Sequence, residues 1–213
     1  MTPRFALAVD PIFLHVLDLL ERINRGEQPN PQEERLRIRT LIDQGEALLG
    51  ASEQWELAKY AIVSWIDEML VDAPWDGREW WSNHVFEVEM FNSRLCNERF
   101  FTQAQSASSH TVRDALEVYY NCAVLGFHGL YSDPLLADSL TRAHGLPSDL
   151  EGWAKQVAMS IRLGQGRPPL SPQRREVAGA PPHRSRTRFL WSWLAVAMLV
   201  VVDVLLYARF IAE

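Results

Sequence analysis

The chain has 213 residues, of which 47% are hydrophobic and 23% are charged. This composition suffices for one domain with an apolar core, or for two small ones, and it excludes a disordered chain. The net charge of -6 argues against a uniformly basic nucleic-acid-binding protein, so no nucleic-acid partner is expected. Cys96 and Cys122 fit neither a zinc-binding pattern nor a disulfide framework, and we expect both thiols to be reduced.

The first 164 residues are predicted to be all-α. Apolar residues recur at three- and four-residue intervals, and neither a sustained period-two alternation nor a hairpin signal is present. The third predicted helix has Ser52 as its N-cap, ends before Pro74 and is apolar on nearly every side, so we expect it to be central. The predicted helices cover residues 12–23, 31–49, 52–73, 78–91, 111–127, 132–144 and 147–163.

Patterns for catalysis and cofactor binding do not occur in the sequence. It contains no Walker loop, no GxGxxG, no GxSxG and no HExxH motif. His84 and Glu87 are the nearest approach to a pair of metal ligands, but their spacing is the reverse of the Glu-x-x-His pattern of di-metal bundles. Cys122 lies on an apolar helix and is interpreted as a packed small residue. We therefore expect no enzymatic activity, no catalytic residue, no cofactor and no metal site.

Asp67 and Glu68 occupy positions where acidic residues are disfavoured. They stand in the last turns of the third predicted helix, where the helix macrodipole disfavours negative charge by about 0.3–1 kcal/mol for each acid. One interpretation is a solvated helix end near Pro74. The other is that one acid organises a buried hydrogen-bond network, or that the pair meets a basic partner. The residues alone leave these interpretations equally open.

Charge is segregated along the chain. Residues 1–164 carry 14 Lys and Arg against 24 Asp and Glu, whereas residues 165–188 carry six Arg and one Glu. The second segment also contains five prolines and is interpreted as a linker. We therefore predict an acidic helical domain over residues 1–164, a basic linker over 165–188 and an apolar anchor over 189–211.

The apolar tail is predicted to cross a membrane. Residues 189–207 contain one ionisable side chain, and a helix of this length extends for about 29 Å, close to the thickness of a hydrocarbon core. Trp191 and Trp193 at one end and Tyr207 at the other are typical interface anchors. Because arginines precede the span, the positive-inside rule places the acidic domain in the cytoplasm.

Asp203 lies inside the predicted span. A carboxylate near the centre of a bilayer costs about 2.5–3.5 kcal/mol on insertion scales, and less near an interface or against another helix. The acid is either tolerated in a hydrated or protonated form, or it contacts a polar group on a neighbouring membrane helix. The neighbouring helix would belong to a second copy of the chain or to a partner protein.

An ordered set of motifs resembles the TssL family of type VI secretion systems, also called DotU or IcmH-like. The set begins with an aromatic and apolar helix that ends in Asp67-Glu68. It continues with a Pro-Trp pair, a Glu/Phe-Phe segment and a Gly-Phe-x-Gly-x-Tyr turn, and the predicted span follows. These motifs are residues 60–68, Pro74-Trp75, Phe91, Glu98, Phe100-Phe101, residues 115–120 and residues 125–131.

The resemblance implies an all-helical cytoplasmic domain of two small bundles forming a hook, held to the bacterial inner membrane by one carboxy-terminal helix. It also implies a non-enzymatic subunit that joins a TssM-like inner-membrane protein to the baseplate through a TssK-like component. In that family the acid pair lies in a region associated with partner contact, so Asp67 and Glu68 are expected to bind partners. The lipid bilayer and further copies of the chain are the other expected partners. A generic tail-anchored adaptor and a membrane-tethered metal protein using His84 and Glu87 are the alternatives.

Overall fold

A computed structural model describes residues 1–164, 191, 193–194, 196–202 and 209. The chain divides into two units, Met1–Pro168 and Pro169–Glu213. In the second unit the described residues are helical and exposed. The described part of the first unit is all-helical, as the sequence predicts, and it contains the residues discussed below.

The first unit contains nine α-helices and one 3-10 helix within residues 1–164. The helices are α1 (Pro3–Asn24), α2 (Pro31–Leu49), α3 (Glu53–Asp72), α4 (Arg78–Asn83), α5 (Phe86–Phe91), α6 (Cys96–Ser109), α7 (Asp114–Val124), α8 (Pro134–His144) and α9 (Leu150–Gly164). The 3-10 helix, Gly129–Ser132, lies between α7 and α8.

The predicted limits of the second and third helices are confirmed. The Asn30 side chain accepts hydrogen bonds from two first-turn amides of α2, and Gly50 follows the helix with φ +72°. Ser52 caps α3 by accepting from the amide of Trp55 at 3.2 Å. Local capping therefore marks both ends of α2 and the start of α3.

α1 is longer than the sequence pattern indicated. It begins at Pro3 rather than near Ile12, and it continues through Pro11. A proline in a helix has no N–H for the carbonyl four residues earlier, and this normally disfavours a continuous helix. Here the buried face on both sides of Pro11, from Phe5 to Ile23, holds the helix against the core.

The prediction of one helix over residues 78–91 is wrong. The structure has two short helices, α4 and α5, and His84 and Val85 between them leave the helical conformation. The amides of Phe86 and Glu87, in the first turn of α5, donate instead to the carboxylate of Asp67. A long-range contact therefore replaces the local hydrogen bonds that would have continued α4.

The boundaries between residues 92 and 127 also differ from the prediction. The sequence interpretation did not assign a helix to Cys96–Ser109, which forms α6. The predicted helix start at residue 111 is wrong as well, because the next helix begins at Asp114. The Asp114 carboxylate instead accepts from the amide and the hydroxyl of Thr2, at 2.7 and 2.6 Å.

α3 lies at the centre of the unit, as predicted. It packs closely against α7 and contacts α1, α2, α4, α5 and α6. Its residues from Tyr60 to Asp67 are all buried, including the indole of Trp65 and the hydroxyl of Ser64. A helix surrounded in this way can only be apolar on all sides, except where a polar group finds an internal partner.

No helix among the described residues combines the length and apolar character that are needed to cross a bilayer.

Candidate functional site

Asp67 accepts hydrogen bonds from three donors on the segment that contains α4 and α5. The donors are the indole nitrogen of Trp81 at 3.1 Å and the backbone amides of Phe86 at 3.0 Å and Glu87 at 2.8 Å. The residue is 4% exposed, so the carboxylate is screened from water. Asp67 thus ties α4 and the start of α5 to the centre of the unit.

Glu68 ties a different segment to the same turn of α3. Its two carboxylate oxygens accept from the amides of His128 at 2.6 Å and Gly129 at 3.0 Å. His128 directly precedes the 3-10 helix, and Gly129 is its first residue. Adjacent positions of a helix differ by about 100° in direction, so the two acids reach two separate segments.

Glu87 extends this network toward α6. Its carboxylate accepts from the hydroxyl of Tyr60 at 2.7 Å and from the amide of Leu95 at 3.0 Å. Glu87 is buried, and so is Tyr60. Burial, together with the bond to Glu87, raises the pKa of the Tyr60 hydroxyl.

The structure decides between the two interpretations of the acid pair, which we define as Asp67 and Glu68. The pair does not lie at a solvated helix end, because the side chains are nearly enclosed and accept five hydrogen bonds. The buried-network interpretation therefore describes the geometry. Binding of a partner by these residues stays a prediction.

Burial changes the ionisation of both acids. Burial raises the pKa of Asp67 from its ordinary 3.8 to about 6, against the opposing effects of its three donors and of the nearby Arg35 guanidinium. Burial also raises the pKa of Glu68, although the amides of His128 and Gly129 oppose this shift. Loss of water around the carboxylates therefore outweighs the hydrogen bonds that favour their charged forms.

The raised pKa of Asp67 predicts a pH dependence of stability. Between pH 4 and pH 6 the folded chain holds the Asp67 proton more tightly than the unfolded chain, so its contribution to the free energy of unfolding decreases as pH rises. Urea unfolding of the purified chain and of its Asp67→Asn variant, at pH 4.5 and 7.0, measures this effect. We expect the wild type to lose more stability than the variant over this interval. Equal losses would contradict the assignment.

An open cleft lies beside the segment that Asp67 holds. It has a volume of about 360 Å³ and lies between α2 and the α4–α5 segment. The Arg35 guanidinium stands 4.0 Å from the centre of the Phe86 ring and donates to the carbonyl of His84 and to Glu89. On the rim, the rings of Trp80 and His84 are stacked at 4.3 Å.

The aromatic motifs of the sequence converge on the segment held by Glu68. The ring of Phe127 lies 4.0 Å from that of Phe100, and the ring of Tyr131 lies 5.1 Å from that of Phe101. Trp153 of α9 contacts Phe101 at 5.1 Å. The Glu/Phe-Phe and Gly-Phe-x-Gly-x-Tyr motifs, distant in sequence, thus form one buried cluster at the end of α3.

The residues considered for metal binding or catalysis are His84, Glu87 and Cys122, and the side chain of each has a partner within the first unit. His84 directs Nδ1 to the carbonyl of Trp80 at 2.7 Å, whereas the Glu87 carboxylate is bonded to Tyr60 and Leu95. Within the described residues, no group of three or more His, Cys, Asp or Glu side chains could hold a metal ion. Cys122 is buried in the apolar core, as its interpretation as a packed residue requires.

Sequence reasoning did not identify the structural roles of Trp81, Glu87 and Arg35. Trp81 and Glu87 bond within the network, and Arg35 lies above the Phe86 ring from another helix. A buried indole and a buried carboxylate require polar partners, but the partner cannot be read from local spacing. The abrupt loss of apolar periodicity at Asn83-His84 was the available signal.

The predicted residues of the membrane span lie partly outside the described residues. Asp203 and Tyr207 are outside them, as is the whole predicted linker over residues 165–188. Trp191 and Trp193 are among the described residues, and they are 73% and 65% exposed. Leu199 and Val200 are exposed as well.

Residues 1–164 form an all-helical unit in which an acid pair that is largely shielded from water fastens two chain segments. A family model described as "Type VI secretion system protein DotU" matches residues 4–211 of the chain. The chain therefore belongs to the DotU family of type VI secretion system proteins, which the sequence motifs indicated.

One solved structure has a similar fold. It is the cytoplasmic domain of TssL from Acinetobacter baumannii, which is 24% identical to this chain with a TM-score of 0.57. The alignment covers 77% of this chain and 99% of that domain. No curated protein sequence matches the chain.

Proposed function

We propose that this chain is a non-enzymatic structural subunit of the type VI secretion membrane complex. It acts as a membrane-anchored platform between a TssM-like inner-membrane protein and a TssK-like component of the cytoplasmic baseplate. Membership of the DotU family supports a role in type VI secretion. The acid pair binds other segments of the same chain, and this supports a structural role as a scaffold.

The observation that carries the proposal is the attachment of two segments to one turn of α3. Asp67 holds the α4–α5 segment and Glu68 holds the turn at residues 128–129. Both segments expose side chains at the surface, including His84 and His128. In this proposal the acid pair contributes to partner binding by fixing the shape of the surface that partners contact.

The proposed anchor is the segment over residues 189–211 in the bacterial inner membrane, with the amino-terminal domain in the cytoplasm. Its support is the apolar sequence and the arginines that precede it. The described residues of this segment are helical and expose large apolar side chains, as a lipid-facing helix would. A net charge of -10 over residues 1–164 favours basic partner surfaces rather than anionic lipid.

Conservative replacement of the acid pair tests the platform. In Asp67→Asn and Glu68→Gln, a side-chain amide faces backbone N–H donors, so the two held segments should loosen. We expect several-fold less copurification of the TssM-like or TssK-like protein, and reduced effector secretion, from cells with equal amounts of the chain. Asp72→Asn is the matched control, because Asp72 is an exposed acid on the same helix.

Thermal melting of each variant separates loss of binding from loss of folding. If folded Asp67→Asn and Glu68→Gln variants kept full secretion and copurification, the platform role of the acid pair would be wrong. A generic tail-anchored adaptor would then describe the chain better.

Asp203 is proposed to contact a polar group on a neighbouring membrane helix, from a second copy or from the TssM-like protein. Replacing Asp203 with Leu should preserve membrane insertion, because it removes a charge from an apolar segment. We expect the variant to remain in the membrane fraction after alkaline carbonate extraction. The yield of its crosslink to the neighbouring helix should be several-fold lower than that of the wild type. Val202→Leu is the control for a change of side-chain volume alone. Unchanged crosslinking would remove this role.

A further inference from the structure

The outer face of α1 carries three leucines with exposed side chains. Leu7 is 70% exposed, Leu14 is 67% exposed and Leu17 is 37% exposed. With Asp10 and Glu21 they occupy positions 7, 10, 14, 17 and 21, the three- and four-residue spacing of a single helical stripe. The opposite side of α1 is buried in the core.

This outer face is acidic as well as apolar. From Leu7 to Glu21 the exposed residues include Asp10, Asp18 and Glu21, and no Lys or Arg occurs in that stretch of sequence. Glu21 is paired with Arg25. Among the described residues, no ion pair involves Asp10 or Asp18.

Pro11 adds a backbone acceptor to the same face. It has no N–H, so the carbonyl of Leu7, four residues earlier, lacks its usual helical donor. Pro11 is itself exposed. A long basic side chain lying across this turn could reach both that carbonyl and the Asp10 carboxylate.

We infer that the stripe of Leu7, Leu14 and Leu17 on α1 docks an amphipathic helix of another protein whose apolar residues are flanked by Lys or Arg. The leucines supply an apolar seam of about three helical turns. The two acids that lack ion-pair partners supply the charge complementarity. This surface uses none of the residues of the acid pair, and its test is therefore independent of the platform test.

Charge argues against the other occupants of this surface. A second copy docked by the same face would bring Asp10 and Asp18 of both chains together, and like charges at an interface oppose association. An anionic lipid surface is repelled for the same reason. The basic segment over residues 165–188 of the chain itself contains five prolines and few large apolar residues, so its sequence lacks the matching stripe.

Site-specific photocrosslinking in cells that assemble the secretion system tests the inference. The full chain carries benzoylphenylalanine in place of Leu14, and mass spectrometry identifies the crosslinked peptide. We expect a segment of another protein with a helical apolar stripe flanked by Lys or Arg. The same photoreactive residue in place of Val124, which is 60% exposed on α7, is the control and should not capture that segment.

Charge reversal then tests the proposed recognition. Asp10→Lys combined with Asp18→Lys should lower the crosslink yield at Leu14 by about tenfold, since it replaces two attractive contacts with repulsive ones. Asp72→Lys combined with Asp76→Lys makes the same change of net charge at exposed acids off α1 and should leave the yield unchanged. Thermal melting checks that each variant is folded.

Several outcomes would overturn the inference. A crosslink formed only with a second copy, with lipid or with residues 165–188 would do so. The absence of any crosslink, or capture of a segment without basic residues, would do so as well. A yield that survives reversal of Asp10 and Asp18 would also overturn it.

Discussion

Replacing Asp67 with Ala is expected to lower the free energy of unfolding by about 2–4 kcal/mol at pH 7. The substitution leaves the Trp81 indole and the amides of Phe86 and Glu87 buried without an acceptor. Part of this loss is offset because the variant no longer buries a charge. Urea unfolding of the purified full chain in mild detergent, followed by tryptophan fluorescence, measures the difference.

Asp72→Ala is the control for this measurement. Asp72 lies one turn farther along α3 and is exposed, so we expect a change within about 0.5 kcal/mol. Similar changes in the two variants would mean that the bonds made by Asp67 contribute little to folding. Greater protease sensitivity near residues 84–87 in Asp67→Ala alone would show that the α4–α5 segment is released.

Replacing Gly129 with Ala should destabilise the chain by about 2–4 kcal/mol, through backbone strain and overpacking together. Gly129 has φ +52°, and an added Cβ would come within 2.7 Å of the Phe127 ring and 3.0 Å of the Phe101 ring. Its amide also donates to Glu68, so a shift of this residue disturbs the acid pair. The same unfolding experiment gives the effect.

Gly145→Ala separates the two contributions. Gly145 has φ +64°, but an added Cβ would meet nothing within 4 Å. This control should therefore show only the cost of the left-handed conformation, about 1 kcal/mol. If both variants lost the same stability, the aromatic contacts around Gly129 would not constrain the turn.

The sequence allowed the helical class and the helices with local signals to be predicted. α2 and α3 are preceded by Asn30 and Ser52, whose side chains accept hydrogen bonds from first-turn amides, and such caps are visible in a sequence. The break between α4 and α5 could not be predicted in the same way. It depends on Asp67, some 20 residues away along the chain, and no local pattern reports such a bond.

The candidate site could be located from the sequence, but its geometry could not be derived. Two acids near the end of an apolar helix indicated either a solvated helix end, or a buried hydrogen-bond network or basic partner. Choosing between these required the position of the amides at residues 86–87 and 128–129, which depends on the tertiary fold. The role of Glu87 was missed because its partner Tyr60 lies on another helix.

The neighbouring positions of Asp67 and Glu68 have a mechanical consequence. Fraying of one turn near the end of α3 would unfasten both segments at once, since each is secured by a consecutive residue of that turn. The amide protons at residues 86–87 and 128–129 should therefore exchange with solvent through one shared opening event. The segments at residues 86–87 and 128–129 are far apart along the chain, but adjacent residues of α3 hold them. A displacement of either segment would therefore be transmitted to the other through one helical turn.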